Sequence, residues 1–284
     1  MRALILRDLR VYFRDRLSVF FSLLSVILTF LLYMLFLGDV WSDGLPDAEG
    51  ARAMMDSWIM AGLLSIASVT TTLSAASTMV DDRTRKISKD FEACPISRTG
   101  LAGSYILSSF LVGVLMTLIQ LVLAEVYIVF RGGELLSLLA FLKMFGLILL
   151  SVLGSTTFFI FLFTLLKTNA AVSTAGTLVG TLIGFLTGIY IPIGELPEAV
   201  QSVVKVLPVS HTAGLMRQVM MEKPLETVFA GAPQEIVNET LEGFGLRFSI
   251  NGSVIPAHVS VILIAVSAIV FFFLCAWRMT KKEK

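Results

Sequence analysis

The sequence predicts an all-α polytopic membrane protein with six transmembrane helices. Of its 284 residues, 56% are hydrophobic and only 15% are charged, a composition too apolar for a soluble domain of this length. A helix needs about 20 predominantly apolar residues to cross a bilayer, and six stretches meet that requirement. They are residues 17–37, 57–79, 103–130, 135–166, 170–191 and 254–277. Residues 17–284 are therefore predicted to form a single transmembrane domain.

The amino-terminal residues 1–16 are predicted to form an amphipathic helix in the membrane interface on the cytoplasmic side. On a helical wheel, apolar and charged side chains occupy opposite sides. The apolar set is Ile5, Leu6, Leu9, Tyr12, Phe13 and Leu17, and the charged set is Arg7, Asp8, Arg10, Arg14 and Asp15. A simpler alternative is a basic flank that only orients the first span.

The distribution of Lys and Arg predicts the orientation in the membrane. With the amino terminus inside, fifteen of these residues fall on the cytoplasmic side and seven outside, which favours cytoplasmic termini in a multi-pass plasma-membrane protein. The net charge of +1 argues against a nucleic-acid partner, which would require a basic surface. Membrane lipid is the expected surrounding. Neither a disulfide nor a metal site is indicated by Cys94 and Cys275.

One carboxylate, Glu125, falls well inside an apolar stretch. A charge at the bilayer centre costs about 2.5 to 3.5 kcal/mol on insertion scales, so its presence needs a reason. The residue lies toward the outer end of its span, where Arg131 and Lys143 can pair with it. The alternative is a carboxylate that faces a transport pathway.

The fifth span carries one glycine per helical turn, at Gly176, Gly180, Gly184 and Gly188. Such a stripe lets another backbone approach closely, either within one subunit or between two.

The segment after this span is too polar to continue it and too apolar for an ordinary loop. Apolar residues at helical spacing predict a short amphipathic helix from near Pro197 to just before Pro208; they are Leu196, Val200, Val203, Val204 and Leu207. A second short helix follows, with Leu215, Met216, Val219 and Met220 on one face. Together with a polar cap over residues 222–253, this region, 192–253, is predicted to fold back at the outer membrane surface.

The loop after the second span, residues 80–102, is densely charged and is predicted to lie in the cytoplasm. Its charged residues include Asp81, Asp82, Arg83, Arg85, Lys86, Lys89, Asp90 and Glu92, and Pro95 ends any helix that begins near Arg83. A short charged helix here suits docking on a soluble partner, with charges setting the orientation and Ile87 and Phe91 as apolar anchors. A solvated loop that only supplies positive charge explains the composition equally well.

Two of these stretches resemble the ABC type-2 exporter permeases, the membrane subunits of ATP-driven exporters of drugs, polysaccharides and lipid-linked polymers. The cytoplasmic loop resembles the family's coupling helix in its end, Pro95-Ile96-Ser97-Arg98, but departs upstream, where Arg83-Thr-Arg-Lys-Ile-Ser-Lys-Asp replaces the usual Arg-Glu-x-Gly-Thr-Leu-Glu. The fold-back segment resembles the family's at Pro192, Glu195, Leu196, Pro197, Val200, Gln201, Leu207, Pro208, His211 and Arg217.

The resemblance implies a permease that forms its pathway with a second copy or paralogue and is driven by soluble ABC ATPase subunits. It assigns ATPase coupling to Arg83, Arg85, Lys86, Ile87, Asp90, Phe91, Glu92 and Pro95, and an outer fold-back gate to Pro192, Glu195, Pro197, Pro208 and His211. The chain contains no GxxxxGK[ST] sequence, so the chain itself is expected to bind no cofactor, with ATP and Mg²⁺ on the partner.

Two other function classes have less support. An ion-coupled secondary transporter would have to use Glu125, since several intramembrane ionisable residues are usual in that class. A membrane-embedded enzyme would need paired acids, a His cluster or a nucleophile with its base, and the predicted spans contain none of these. The chain is thus predicted not to be an enzyme. The cargo, whether drug, lipid-like molecule or polymer, is not readable from the residues.

Overall fold

The computed structural model describes residues 1–17, 19, 20, 22, 24, 27, 31, 50–94, 97–166, 168–250 and 253–280. The first predicted span, residues 17–37, lies largely outside this set. The described elements are α1 (Arg2–Arg14), α2 (Ala51–Thr84), α3 (Ile87–Ala93), α4 (Arg98–Phe130), α5 (Leu138–Leu165), α6 (Asn169–Leu186), a 3₁₀ turn (Ile193–Glu195), α7 (Glu198–Val204), α8 (Pro208–Met220), α9 (Glu222–Val228), α10 (Gln234–Gly243), β1 (Ser249–Ile250), β2 (Ser253–Val254) and α11 (Ala257–Thr280).

The described part of the chain is almost entirely helical, as predicted. Five of its helices, α2, α4, α5, α6 and α11, are long and apolar enough to cross a membrane, and they coincide with the second to sixth predicted spans. Three of them begin with a hydroxyl cap: Ser97, Ser137 and Thr168 each accept a hydrogen bond from the backbone N–H three residues later. These caps satisfy amide groups that the first helical turn leaves without a partner.

Helix α2 is the centre of the fold. It is 34 residues long, about 50 Å at 1.5 Å per residue, and it packs against α4, α5, α6 and α8. Helix α6 lies at the periphery, packed mainly on α2.

Small and hydroxyl residues let the central helices approach closely. A Cβ atom on Gly113 of α4 would lie 2.6 Å from Oγ1 of Thr72 on α2 and 2.7 Å from Val152 on α5, so this position has room only for glycine. Ser68 of α2 and Ser151 of α5 share a buried hydrogen bond of 2.7 Å. Such contacts stabilise helix association in lipid, where apolar burial contributes little.

The fifth span ends earlier than predicted. Helix α6 stops at Leu186 because Gly188 has φ +71°, a left-handed conformation that turns the chain. The two predicted short helices are then present as α7 and α8. Helix α8 does not lie on the surface, however. It is buried over most of its length and packs against α2, α5 and α11.

The amino-terminal helix α1 packs along α4. The wheel placed Asp8 on the solvent side, but its side chain is buried together with Tyr12, whereas Leu6 and Phe13 are exposed. The helix is therefore rotated relative to the prediction, because Asp8 finds a partner on α4 through Ser108. Its exposed apolar residues remain available to the membrane interface.

The segment for which a polar cap was predicted, residues 222–250 and 253–254, contains α9, α10 and a two-residue antiparallel pairing of β1 with β2. Helix α9 packs on α2, and α10 packs on the 3₁₀ turn of the fold-back segment.

Candidate functional site

A sharp turn separates α2 from the short helix α3. Lys86 adopts φ 63°, a left-handed conformation that is unfavourable for a residue with a side chain. The prediction of one helix from Arg83 to Glu92 is therefore wrong. Arg83 belongs to the last turn of α2, where its Nη1 donates to the carbonyl of Leu166 at 3.4 Å.

Helix α3 has an outward charged face and an inward apolar face. Arg85, Lys86, Lys89 and Asp90 are exposed, whereas Ile87 and Phe91 are half-buried. Pro95 and the side chain of Glu92 lie outside the described residues. The charges are thus placed where a soluble partner can reach them, while the predicted apolar anchors also contact the rest of the chain.

Phe91 contacts a network of charged side chains, built around two buried carboxylates, that the sequence did not predict. The guanidinium of Arg7 lies over its ring at 5.4 Å and donates two hydrogen bonds, of 2.5 and 2.6 Å, to the carboxylate of Asp82. Tyr105 donates a third bond to Asp82 at 2.8 Å. The network joins α1, α2, α3 and α4 at one end of the bundle.

Asp8 adds a second carboxylate to this network. It accepts hydrogen bonds from Nη1 of Arg7 at 2.9 Å and from the hydroxyl of Ser108 at 3.1 Å. Asp8 and Asp82 are only 5% and 3% exposed, and buried carboxylates are tolerated when charged and hydrogen-bonding partners compensate them. Burial raises the pKa of Asp8 despite the opposing effect of Arg7. The hydrogen bond to Asp82 raises the pKa of Arg7.

The positions of two network residues relative to the predicted spans could have indicated part of this network. Asp82 follows the apolar part of the second span, and Tyr105 stands near the start of the third. Two antiparallel helices joined by a short loop bring such positions together. Arg7 could not be placed from its own helix, because its partners lie on other elements.

At the opposite end, prolines set the turns of the fold-back segment. Pro192 precedes the 3₁₀ turn that ends at the exposed Glu195, Pro197 precedes α7, and Pro208 is the first residue of α8. Proline suits these positions because it lacks a backbone N–H and its φ is fixed near helical values.

His211 connects this segment to the last helix. Its Nε2–H donates to the carbonyl of Lys205 at 2.9 Å, so its Nδ1 accepts from the hydroxyl of Ser260 on α11 at 2.8 Å. The ring also packs edge-on against Phe248 at 4.9 Å. Burial lowers the pKa of His211. The side chain therefore acts in this structure as a neutral cross-link between α8 and α11.

A comparison with known protein families matches residues 1–221 to the ABC-2 type transporter family. The chain belongs to this family. It is therefore a multi-pass ABC transporter permease, and the predicted family is confirmed. The match extends to the end of α8 and covers both the α3 region and the fold-back segment. No individual curated protein matches the permease significantly.

The glycines of the permease's α6 do not form one continuous stripe. Gly188 lies beyond the helix, in the turn already described. Gly184 is covered by the ring of Tyr190, and Gly176 faces Leu73 of α2, where an added Cβ would lie at 3.5 Å. Gly180 has no neighbour within 4 Å in the described chain. Only Gly180 is thus open to another molecule.

Glu125 does not pair with Arg131 or Lys143 as predicted. Arg131 lies 3.7 Å from Asp56, and Lys143 lies 3.7 Å from Glu222. One oxygen of Glu125 instead accepts the backbone N–H of Leu136 at 3.0 Å, in the turn between α4 and α5. The geometry favours a structural role in that hairpin over a pathway carboxylate.

Proposed function

We propose that the chain is the transmembrane subunit of an ABC exporter, driven by separate soluble ATPase subunits that bind ATP and Mg²⁺. Family membership supports the permease role and favours it over an ion-coupled secondary transporter. Both termini and α3 would face the cytoplasm of a plasma-membrane protein. The cargo class, whether drug, lipid-like molecule or polymer, stays open within this proposal.

The coupling proposal depends on the amphipathic character of helix α3, which has an exposed charged face and a half-buried apolar face. Its outward charges, among them Lys89 and Asp90, suit the docking surface of an ATPase. Its inward Phe91 meets Arg7, which is bound to Asp82 of the central helix α2. A displacement of α3 would therefore reach Arg7 through the ring contact of Phe91, and from Arg7 it would reach α2 and α4 through short, charge-assisted bonds.

Replacing Ile87 and Phe91 together by alanine tests this coupling. We expect the variant to insert in the membrane normally but to lose the stimulation of the partner's ATPase activity, because α3 no longer transmits movement to Arg7. Cys94→Ser is the matched control, since Cys94 is exposed next to α3. Stimulation at the level of the unmodified protein in the double variant would contradict the coupling role.

We further propose that a second permease, identical or paralogous, packs against α6. The exposed side of α6 carries the hydroxyl residues Ser173, Thr174, Thr177 and Thr181 beside the open Gly180. The three threonines bond to carbonyls of their own helix at 2.9 to 3.1 Å. A small, hydroxyl-rich face suits helix packing or a transport pathway better than lipid.

Gly180→Leu tests this interface against Gly146→Leu on α5. Neither glycine has a neighbour within 4 Å in the described chain, so neither substitution should disturb the packing of that part of one subunit. We expect cross-linking in native membranes to detect the permease pair in Gly146→Leu and to lose it in Gly180→Leu. An unchanged pair in Gly180→Leu would exclude this face as the interface.

A further inference from the structure

Arg217, on α8, is a buried cation with no acidic partner in the part of the chain that the structure describes. Its side chain is 0% exposed, and no carboxylate of that part lies at ion-pair distance from its guanidinium. Burial lowers its pKa to about 9. Among the same residues, Nη2 has no hydrogen-bond partner. An incompletely satisfied buried charge is costly, so this arginine calls for an explanation beyond packing.

The guanidinium bridges two parts of the molecule. It lies over the ring of Trp58 on α2 at 4.4 Å, and its Nε donates weakly to the carbonyl of Trp58 at 3.5 Å. On the other side, its Nη1 donates to the carbonyl of Phe244 at 3.3 Å. That same carbonyl accepts the indole N–H of Trp58 at 2.8 Å.

Phe244 belongs to the turn that ends α10, residues 244–246, which we call the cap turn. Gly245 has φ +69°, and the amides of Gly245 and Leu246 bond back to the carbonyls of Glu242 and Leu241 at 3.0 and 2.9 Å. This is the usual way for a left-handed glycine to end a helix. The cap turn lies beyond the 221 residues that match the family.

Helix α8 holds the cap turn at two more points. Gln218 donates to the carbonyl of Leu246 at 2.5 Å. Gly214 lies directly beneath the turn, because a Cβ there would be 3.0 Å from the carbonyl oxygen of Gly245 and 3.3 Å from that of Leu246. Helix α8 therefore contacts the cap turn through Gly214, Arg217 and Gln218. Helix α2 holds the same turn through the 2.8 Å bond from Trp58.

We propose that Arg217 is a positioning residue that, together with Trp58 and Gln218, fixes the cap turn between α8 and α2. The carbonyl of Phe244 accepts from Trp58 at 2.8 Å and from Nη1 of Arg217 at 3.3 Å, and Gln218 holds Leu246. Helix α8 itself packs against α2, so Arg217 links α8 both to the turn and to the ring of Trp58.

The test compares three variants of the full chain in detergent or nanodiscs by hydrogen exchange over residues 244–246. Arg217→Met removes the donors and keeps an apolar side chain of similar length. Arg217→Lys keeps the cation, and Arg247→Gln removes an exposed cation of the same cap as the matched control. We expect the exchange rate at Gly245 and Leu246 to rise roughly tenfold in Arg217→Met, which corresponds to the loss of about one buried hydrogen bond. The rise should be smaller in Arg217→Lys. The rate should not change in Arg247→Gln.

If Arg217→Met does not fold, Trp58→Phe provides a second test of the contacts that hold the cap turn. It removes the indole N–H but keeps an aromatic ring for Arg217, and we expect a smaller increase in exchange at the cap turn. The proposal would be overturned if a monodisperse preparation of Arg217→Met exchanged at the same rate as the unmodified protein.

Discussion

The two ends of the helix bundle handle buried charge in opposite ways. At the α3 end, Arg7 is bonded to two carboxylates at distances of 2.5 to 2.9 Å. At the fold-back end, no described carboxylate lies near Arg217, which bonds to carbonyls at 3.3 and 3.5 Å. The first arrangement joins α1, α2 and α4 by short hydrogen bonds to charged groups, with α3 added by a ring contact. In the second, the bonds made by the arginine itself are longer.

Under the proposed function, the α3 end would receive movement from the ATPase, and short, charge-assisted bonds suit the transmission of that movement. The fold-back end would lie on the exit side, where the longer bonds of Arg217 would be easier to break. The following predictions test whether the two ends differ in this way, beginning with the largest expected effect.

The strongest disruption of the α3 end is expected from Asp82→Asn. An amide cannot replace the carboxylate that accepts both nitrogens of Arg7, so the arginine loses its main counter-charge. Removing one partner of a fully buried pair typically costs about 3 to 5 kcal/mol. Because the side chain of Arg7 is 30% exposed, we expect a loss toward the lower end of that range. Unfolding of the purified chain should therefore show a large loss in free energy of unfolding.

Asp81→Asn is the control for Asp82→Asn. Asp81 is half-exposed and accepts one hydrogen bond, from Asn169 at 2.7 Å, so a loss of about 1 kcal/mol or less is expected. Equal losses in the two variants would mean that the buried network does not stabilise this end.

At the fold-back end, Gly188→Ala should be the more damaging of two glycine substitutions. Both Gly188 and Gly231 have positive φ, at +71° and +79°, and a side chain in that conformation costs roughly 1 to 2 kcal/mol. An added Cβ at Gly188 would also lie 2.6 Å from Ile193, whereas Gly231 has no neighbour within 4 Å. The thermal midpoint should fall further in Gly188→Ala, and a larger fall in Gly231→Ala would contradict this packing.

A smaller effect is expected from the protonation of His211. Because burial lowers its pKa below the ordinary value of about 6.5, the unfolded chain binds the proton more readily than the folded one. Stability should therefore decrease as the pH falls through and below about 6.5. His211→Gln should remove this part of the pH dependence, as measured by the free energy of unfolding at several pH values. A variant with the same slope as the unmodified protein would rule out this origin.

Asp8 should give a dependence of opposite sign at the α3 end. Burial raises its pKa, so the folded chain binds the proton more readily, and stability contributed by Asp8 decreases as the pH rises from the ordinary pKa of about 3.9 through the raised value. Asp8→Asn should flatten this slope while leaving the slope due to His211. An unaltered profile in acid would show that Asp8 does not contribute.

The spans and the family were accessible from sequence because apolar runs and proline spacing are local signals. The five described spans overlap the predicted ones, and the two fold-back helices begin close to Pro197 and Pro208. The end of α6 was misplaced because Gly188 continues the spacing of the glycines within the helix, while its backbone has already left the helical conformation.

The partners of charged residues could not be read in the same way. Arg7, Asp8 and Glu125 each have a contact on another element or turn that sequence spacing does not reveal. Arg131 and Lys143 are near Glu125 in sequence, but Asp56 and Glu222 lie at ion-pair distance from them instead. Which of several nearby charges forms a pair depends on helix rotation, and that is decided by tertiary packing.

The most direct test of the central claim is purification of the tagged chain from its native membrane in mild detergent. A soluble protein with a GxxxxGK[ST] sequence should co-purify in about equal amount, and the double alanine variant of Ile87 and Phe91 should lose its ATPase stimulation. If the chain emerges alone or with lipid only, from a preparation shown to preserve known complexes, the ATP-driven mechanism is contradicted.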